Sequence, residues 1–170
     1  MAPGASGTIT ITGVVDADLT ADISTANTAT LTTNTFDSDP TNNSAQTAFD
    51  VVVPRLAFGS AAYSVAEYGG TAPVTVTLDA PNPFVDTSVA YATRNGSALT
   101  GSDYTAQAGP LTILAGQTSA SFGVSILDDA VPEGGETVLL SLSNPIGATL
   151  TAPSSAWSCF TDRGRNAQEL

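Results

Sequence analysis

Apolar residues recur at every second position in several short runs of this 170-residue chain. Residues 74–78 read Val-Thr-Val-Thr-Leu, and residues 122–126 read Phe-Gly-Val-Ser-Ile. A period of two places successive side chains on opposite faces of a β-strand, whereas a helix requires apolar residues three and four positions apart. No stretch keeps helical spacing long enough to predict a helix, and the abundant threonine and valine favour strands. The chain is therefore predicted to be all-β.

Strand candidates are dense after Pro54. Clusters of glycine, asparagine and proline separate them, as in Asn95-Gly96-Ser97 and in residues 81–83. Short strands at this spacing predict an antiparallel, immunoglobulin-like β-sandwich over residues 56–156. The candidates are residues 56–58, 61–66, 73–78, 88–93, 110–115, 120–127 and 137–142.

Residues 1–53 carry fewer strand candidates. Residues 7–15 alternate threonine and isoleucine, and residues 29–33 and 47–53 are weaker candidates of the same kind. Because a two-sheet sandwich usually has seven or more strands, three strands cannot close one. Residues 1–53 are therefore predicted to form a partial Ig-like β domain that precedes the sandwich.

The composition changes abruptly after Ser155. The only tryptophan (Trp157), the only cysteine (Cys159) and two of the four arginines lie in residues 157–170. We treat these residues as an atypical tail, and a frameshifted or artificial terminus accounts for the change as well as a function does. The single cysteine also excludes an intramolecular disulfide.

The chain is strongly acidic. Sixteen acidic residues against four arginines, with no lysine or histidine, give a net charge of −12. Such a surface is a poor partner for nucleic acid or an anionic membrane and a good one for divalent cations, although acidity can also serve only solubility. No run approaches the roughly 20 apolar residues of a membrane span. Residues 1–20 lack the pattern of a secretory signal, so an export signal would lie outside this sequence or be of another kind.

The residue types that perform most protein catalysis are scarce. Histidine and lysine are absent and Cys159 lies in the tail, so the usual pairs of nucleophile and base are missing. A hydrolase built on two carboxylates stays open, but its substrate cleft should be rimmed by aromatic side chains, and only 6% of the chain is aromatic. The chain is predicted to be non-enzymatic.

Six carboxylates stand at predicted strand ends or in loops. The connecting loops of a sandwich gather at its two ends, so these side chains can converge. Converging carboxylates repel one another unless a cation bridges them or some take up protons. Oxygen ligands without histidine or cysteine favour Ca²⁺ over zinc or copper. The alternative is that the acids only occupy solvated turns and hold no ion. The six are Glu67, Asp103, Asp128, Asp129, Glu133 and Glu136.

Three motifs surround these acids: Ser64-Val65-Ala66-Glu67, Gly101-Ser102-Asp103-Tyr104, and the stretch of residues 126–136 that reads Ile-Leu-Asp-Asp-Ala-Val-Pro-Glu-Gly-Gly-Glu. They resemble the Calx-beta domain of sodium–calcium exchangers and bacterial surface proteins. The resemblance covers about residues 56–152, and its third motif is the most specific. It implies a seven-strand sandwich with calcium at one pole. It also implies that the six carboxylates are side-chain ligands and that Val131 offers its carbonyl oxygen.

The sequence departs from the family pattern near its end. The family closes with a strand rich in valine and isoleucine, followed by an Asp-rich run that supplies further ligands. Here residues 156–160 read Ala-Trp-Ser-Cys-Phe, and Asp162 is the only nearby acid. We therefore expect weaker calcium binding, or one calcium site fewer, than the family pattern implies.

Residues 1–53 carry a resemblance of their own. The alternating residues 7–13, the Asn-Thr-Ala-Thr-Leu of residues 27–31 and the Asp-Pro-Thr-Asn-Asn of residues 39–43 lie in this segment. Together they are similar to the end of an Ig-like bacterial surface repeat, catalogued as domain of unknown function eleven. Only the last strands of that repeat would be present.

These observations predict a non-enzymatic, calcium-binding structural or adhesive module of a secreted or cell-surface protein. Its expected partners are calcium and neighbouring β domains or other copies of itself, with no nucleic acid and no membrane span. The alternative is a self-assembling extracellular filament subunit joined by strand complementation. That alternative supposes that the first domain lacks its early strands and that the sandwich lacks its last one.

Overall fold

The computed structural model describes residues 8, 10, 12–14, 16, 19–128 and 134–161. Within these residues the chain forms strands and two short 3₁₀ turns, and it forms no α-helix. The predicted all-β class is confirmed. The strands are β1 (Ile23–Thr30), β2 (Ser44–Val51), β3 (Arg55–Phe58), β4 (Ala62–Ala66), β5 (Thr71–Leu78), β6 (Thr87–Asn95), β7 (Ala108–Ile113), β8 (Ser119–Ser125), β9 (Glu136–Ile146), β10 (Thr149–Leu150) and β11 (Ser155–Thr161).

Strands β3 to β11 form two sheets that face each other across one core. One sheet has the strand order β10-β3-β5-β8, and the other has the order β4-β11-β9-β6-β7. Neighbouring strands are antiparallel, except that β10 is parallel to β3 and β11 is parallel to β4. The predicted antiparallel sandwich is confirmed, with parallel pairing confined to these two places.

The core follows the period-two pattern of the sequence. In β5 the alternate residues Ala72, Val74, Val76 and Leu78 are buried, while the residues between them are exposed or half-buried. They meet the buried alternate residues of β9 in a single hydrophobic cluster. Full burial of one such aliphatic side chain stabilises the fold by roughly 1.5–3 kcal/mol. The cluster therefore holds the two sheets, and with them the loops at their ends, in fixed positions.

The sandwich includes a closing strand, β11, in its five-stranded sheet. Strand β11 lies between β9 and β4, and it places Ala156 and Ser158 in the interior. The expectation that the sandwich lacks this strand is wrong, because sheet pairing uses backbone groups and small inward-facing side chains suffice at these two positions. Strand β11 also continues across residue 156, where the sequence predicted the end of the sandwich. The Ser158 hydroxyl is fully buried without a hydrogen-bond partner in the described part of the chain, which costs about 1–3 kcal/mol.

Strands β1 and β2 form a separate two-stranded antiparallel ribbon. Nearly all of its side chains are exposed, and a two-stranded ribbon is at best marginally stable by itself. Strand β1 begins and ends earlier than the predicted residues 29–33, and β2 begins and ends earlier than the predicted residues 47–53. The turn-forming cluster lies in the loop from residue 31 to residue 43, which connects the two strands. Residues 8, 10 and 12–14 of the predicted strand 7–15 are not in a strand, and its remaining residues lie outside the described ones.

The ribbon joins the sandwich through a short linker. The Val53 amide donates a hydrogen bond to the Asp22 carboxylate over 2.9 Å, and both Val53 and Pro54 are buried. The Thr149 amide then donates to the Pro54 carbonyl over 2.9 Å. These contacts tie the base of the ribbon to one end of the sandwich. In the described residues, no helix has the length and apolar character needed to cross a membrane.

Candidate metal centre

Three loops meet at the end of the sandwich that lies away from the ribbon. We call this end the acidic pole and define it as residues 67–70, 96–107, 126–128 and 134–135, with Glu136 at the start of β9. The Ile126 amide donates to the Gly70 carbonyl over 3.1 Å, which joins the first loop to the third. The Leu127 amide donates to the Asp103 carbonyl over 2.9 Å, which joins the second loop to the third. Backbone hydrogen bonds therefore fix the three loops relative to one another.

Glu67 lies in the first loop, directly after β4. It begins a 3₁₀ turn over Glu67–Gly69, and Gly70 follows with φ of +70°, a conformation that glycine adopts without strain. This turn reverses the chain tightly into β5. The Glu67 side chain is only 8% exposed, which is unusual for a carboxylate, since buried charges need partners or a bound cation.

Asp103 lies in the second loop and is also 8% exposed. Its carboxylate oxygen Oδ2 accepts a hydrogen bond from the Leu99 amide over 2.6 Å, and its own amide donates to the Leu99 carbonyl over 3.0 Å. Gly101, with φ of +91°, allows the tight turn between them. The loop thus holds one carboxylate oxygen in a fixed position.

Asp128 and Glu136 flank the connection between β8 and β9. Asp128 is exposed, whereas Glu136 is half-buried and is the first residue of β9. Glu136 pairs with Phe160 of β11, and Phe160 pairs in turn with Val65 of β4. The backbone of Glu136 is therefore two strand spacings, about 10 Å, from that of Val65, which lies two residues before Glu67.

The structure describes four of the seven predicted ligands and places them at one pole. Glu67, Asp103, Asp128 and Glu136 all stand on the loops or strand ends joined by the contacts above. Asp129, Val131 and Glu133 lie outside the described residues. Within the described part of the chain, no three acidic or cysteine side chains lie close enough together to hold a metal ion. The four carboxylates share a pole without forming a compact cluster by themselves.

Tyr104 at this pole and Asn95 at the adjoining end of β6 carry a structural role that the sequence did not reveal. Tyr104 is 1% exposed, and its hydroxyl donates a hydrogen bond to the Asn95 side-chain oxygen Oδ1 over 2.7 Å. Burial raises the pKa of Tyr104 above its ordinary value, and a hydrogen bond with the Thr93 side chain opposes part of that rise. The phenol is therefore neutral and acts as a donor. The sequence marked Asn95 only as a turn residue and Tyr104 only as part of a motif.

The donors at the acidic pole fit a calcium ion better than they fit zinc or copper. They are carboxylate oxygens, and the sequence offers no histidine and only one cysteine. Calcium accepts six to eight oxygen ligands in flexible geometry, whereas zinc and copper favour nitrogen and sulfur. The burial of Glu67 and Asp103 is consistent with a bound cation, since a cation would offset their negative charge.

Comparisons with known proteins agree with this chemistry. The sequence pattern of the Calx-beta domain matches residues 50–164. The chain is 30% identical to the structure titled "Crystal structure of Apo-form Calx CBD1 domain", with a TM-score of 0.61 over 65% of this chain and 97% of that one. It is also 30% identical to "Crystal structure of CBD12 from CALX1.2", with a TM-score of 0.60 over 64% of this chain and 45% of that one.

A further solved structure, "Crystal structure of Calx CBD2 domain", has a TM-score of 0.57 at 13% identity and supports the fold alone. A search of curated protein sequences gave no match. The likeness of residues 1–53 to an Ig-like surface repeat stays a prediction. The match to residues 50–164 spans both sheets of the sandwich and all three loops of the acidic pole. The chain therefore belongs to the Calx-beta family of calcium-binding domains.

Proposed function

We propose that this chain binds Ca²⁺ at the acidic pole as a non-enzymatic structural or adhesive module of a secreted or cell-surface protein. The ligands would be the carboxylates of Glu67, Asp103, Asp128 and Glu136. To these we add Asp129, Glu133 and the carbonyl oxygen of Val131, from the connection between β8 and β9. The metal would supply positive charge and cross-link the three loops.

The observation that carries this proposal is the burial of two carboxylates at one pole of a strongly acidic chain. Glu67 and Asp103 are each 8% exposed, and they stand on different loops that both hydrogen-bond to the residues after β8. A divalent cation offsets the charge of such groups. Calcium would thereby stabilise the folded chain and stiffen the pole.

Thermal melting in chelator and then in millimolar calcium tests the proposal. We expect the melting temperature to rise by roughly 10–20 °C, because a ligand at 100 times its dissociation constant adds about 2.7 kcal/mol to the free energy of unfolding. The variant Asp128→Asn should lose most of this rise. Asp128 is exposed, so the substitution should leave the melting temperature in chelator nearly unchanged.

Asp86→Asn is the matched control. It removes one negative charge at the opposite end of the sandwich, where the Asp86 side-chain oxygen accepts from the Ala115 amide, and asparagine can keep that bond. It should show the full calcium-dependent rise. A melting temperature that calcium leaves unchanged in the unsubstituted chain would overturn the proposal, and an equal loss in both variants would show only a general charge effect.

Assembly by strand complementation is the alternative, and the β1–β2 ribbon supports it. Each of its strands pairs only with the other within the described residues, so each has an edge that could accept a further strand. A monodisperse monomer in light scattering at high protein concentration would argue against it.

A further inference from the structure

The second loop of the acidic pole is organised around one side-chain oxygen. Asn95 is the last residue of β6, and its Oδ1 accepts both the Tyr104 hydroxyl over 2.7 Å and the Thr100 amide over 3.2 Å. The start and the end of the loop are thereby joined through Asn95. Tyr104 is the largest fully buried side chain of the described residues, so its hydroxyl ties the loop, through Asn95, to the core.

Asp103 is joined to this arrangement through the backbone. Asp103 is the residue before Tyr104, and the Gly101 amide donates to the Tyr104 carbonyl over 2.9 Å. Tyr104 also forms an antiparallel bridge with Ile126, two residues before Asp128. A change in the position of Tyr104 would move Asp103 and the residues after β8 together.

We propose that the hydrogen-bonded pair Asn95 and Tyr104 positions Asp103 and so sets the calcium affinity of the acidic pole. This inference rests on the proposed calcium-binding function. Neither residue is among the proposed ligands. Each acts through Asp103, as residues that orient metal ligands do in other proteins, where their loss typically weakens metal affinity by about 10- to 100-fold.

The test is Tyr104→Phe, which removes the donor and keeps the buried ring. We expect the calcium dissociation constant to rise by about tenfold. Isothermal titration calorimetry measures it, at a temperature well below the melting temperature of every variant so that each one is folded. Asn95→Ala should produce a similar rise. The double variant should bind no more weakly than the weaker of the two single variants, because both remove the same bond.

Tyr63→Phe is the matched control. The Tyr63 hydroxyl also donates to a protein oxygen, the carbonyl of Thr75, over 2.7 Å, but it lies in β4 away from the acidic pole. Both tyrosine variants should lower the melting temperature in chelator by a few degrees, since each loses the hydrogen bonds of its hydroxyl, worth about 1 kcal/mol apiece. Only Tyr104→Phe should change the calcium dissociation constant.

The outcomes separate the two proposals. If the unsubstituted chain binds calcium and Tyr104→Phe leaves the dissociation constant unchanged, the positioning role alone is overturned. Equal weakening by Tyr104→Phe and Tyr63→Phe would also overturn it, because the effect would then follow stability. An unsubstituted chain without calcium binding would overturn the proposed function and this inference with it.

Discussion

Replacing Leu140 by alanine should lower the free energy of unfolding by about 2–5 kcal/mol, the usual cost of truncating a buried leucine. Leu140 is 2% exposed and lies in β9, near the middle of the five-stranded sheet. Its neighbours in the adjacent strands are Ala156 and Thr93, neither of which can fill the space that the leucine leaves. Urea unfolding followed by tryptophan fluorescence should show a clearly lower midpoint.

Leu139→Ala is the control, because it removes the same atoms from the adjacent residue. Leu139 is 46% exposed and points to the outer face of the same sheet. Its loss should cost much less, within about 1 kcal/mol. If Leu139→Ala destabilises the chain more than Leu140→Ala, β9 is shifted by one residue, since a shift of one exchanges the two faces of a strand.

Gly96→Ala should lower the free energy of unfolding by about 2–4 kcal/mol, through overpacking and lost hydrogen bonds. A methyl group at Gly96 would lie 2.6 Å from the Thr137 hydroxyl oxygen and closer still to the Thr137 backbone oxygen. Thr137 cannot yield easily, because its backbone oxygen accepts from the Ala98 amide and its amide donates to the Ser97 hydroxyl. Urea unfolding in chelator measures this cost without any contribution from calcium.

Gly109→Ala is the matched control for this substitution. A methyl group there would lie 3.9 Å from the Tyr91 ring, which is an ordinary contact. Both substitutions restrict the unfolded chain to the same extent, so the difference between them reports the folded state. A Gly96→Ala variant as stable as Gly109→Ala would mean that Gly96 and Thr137 are not in close contact.

The sandwich could be predicted from the sequence because its strongest signal is local. The alternation in residues 74–78 and 122–126 specifies which side chains face the core, and the structure buries Val74, Val76 and Val124 as that pattern requires. Strand β11 could not be predicted in the same way. Its residues lack alternation of large apolar side chains, and it is held in place by pairing with two strands that are distant in sequence.

The sequence offers candidate ligands, but it does not give their geometry. Glycines and asparagines around Glu67 and Asp103 mark loops, and loops of a sandwich gather at its ends. Which end each loop joins depends on the pairing of strands, for example of Glu136 with Phe160, and no local pattern encodes such pairs. The bond between Asn95 and Tyr104 was missed for the same reason, since it forms only after the whole loop has closed.

The position of β11 has a consequence for how the domain is made. Strand β4 comes early in the sandwich, yet its sheet partner is β11, the last of the described strands to emerge during synthesis. Until residue 161 has left the ribosome, β4 lacks its sheet partner among the described strands, and the edge of β9 that pairs with β11 is open. The five-stranded sheet is therefore completed only after translation of the whole domain. Pairings of such high sequence separation also slow folding.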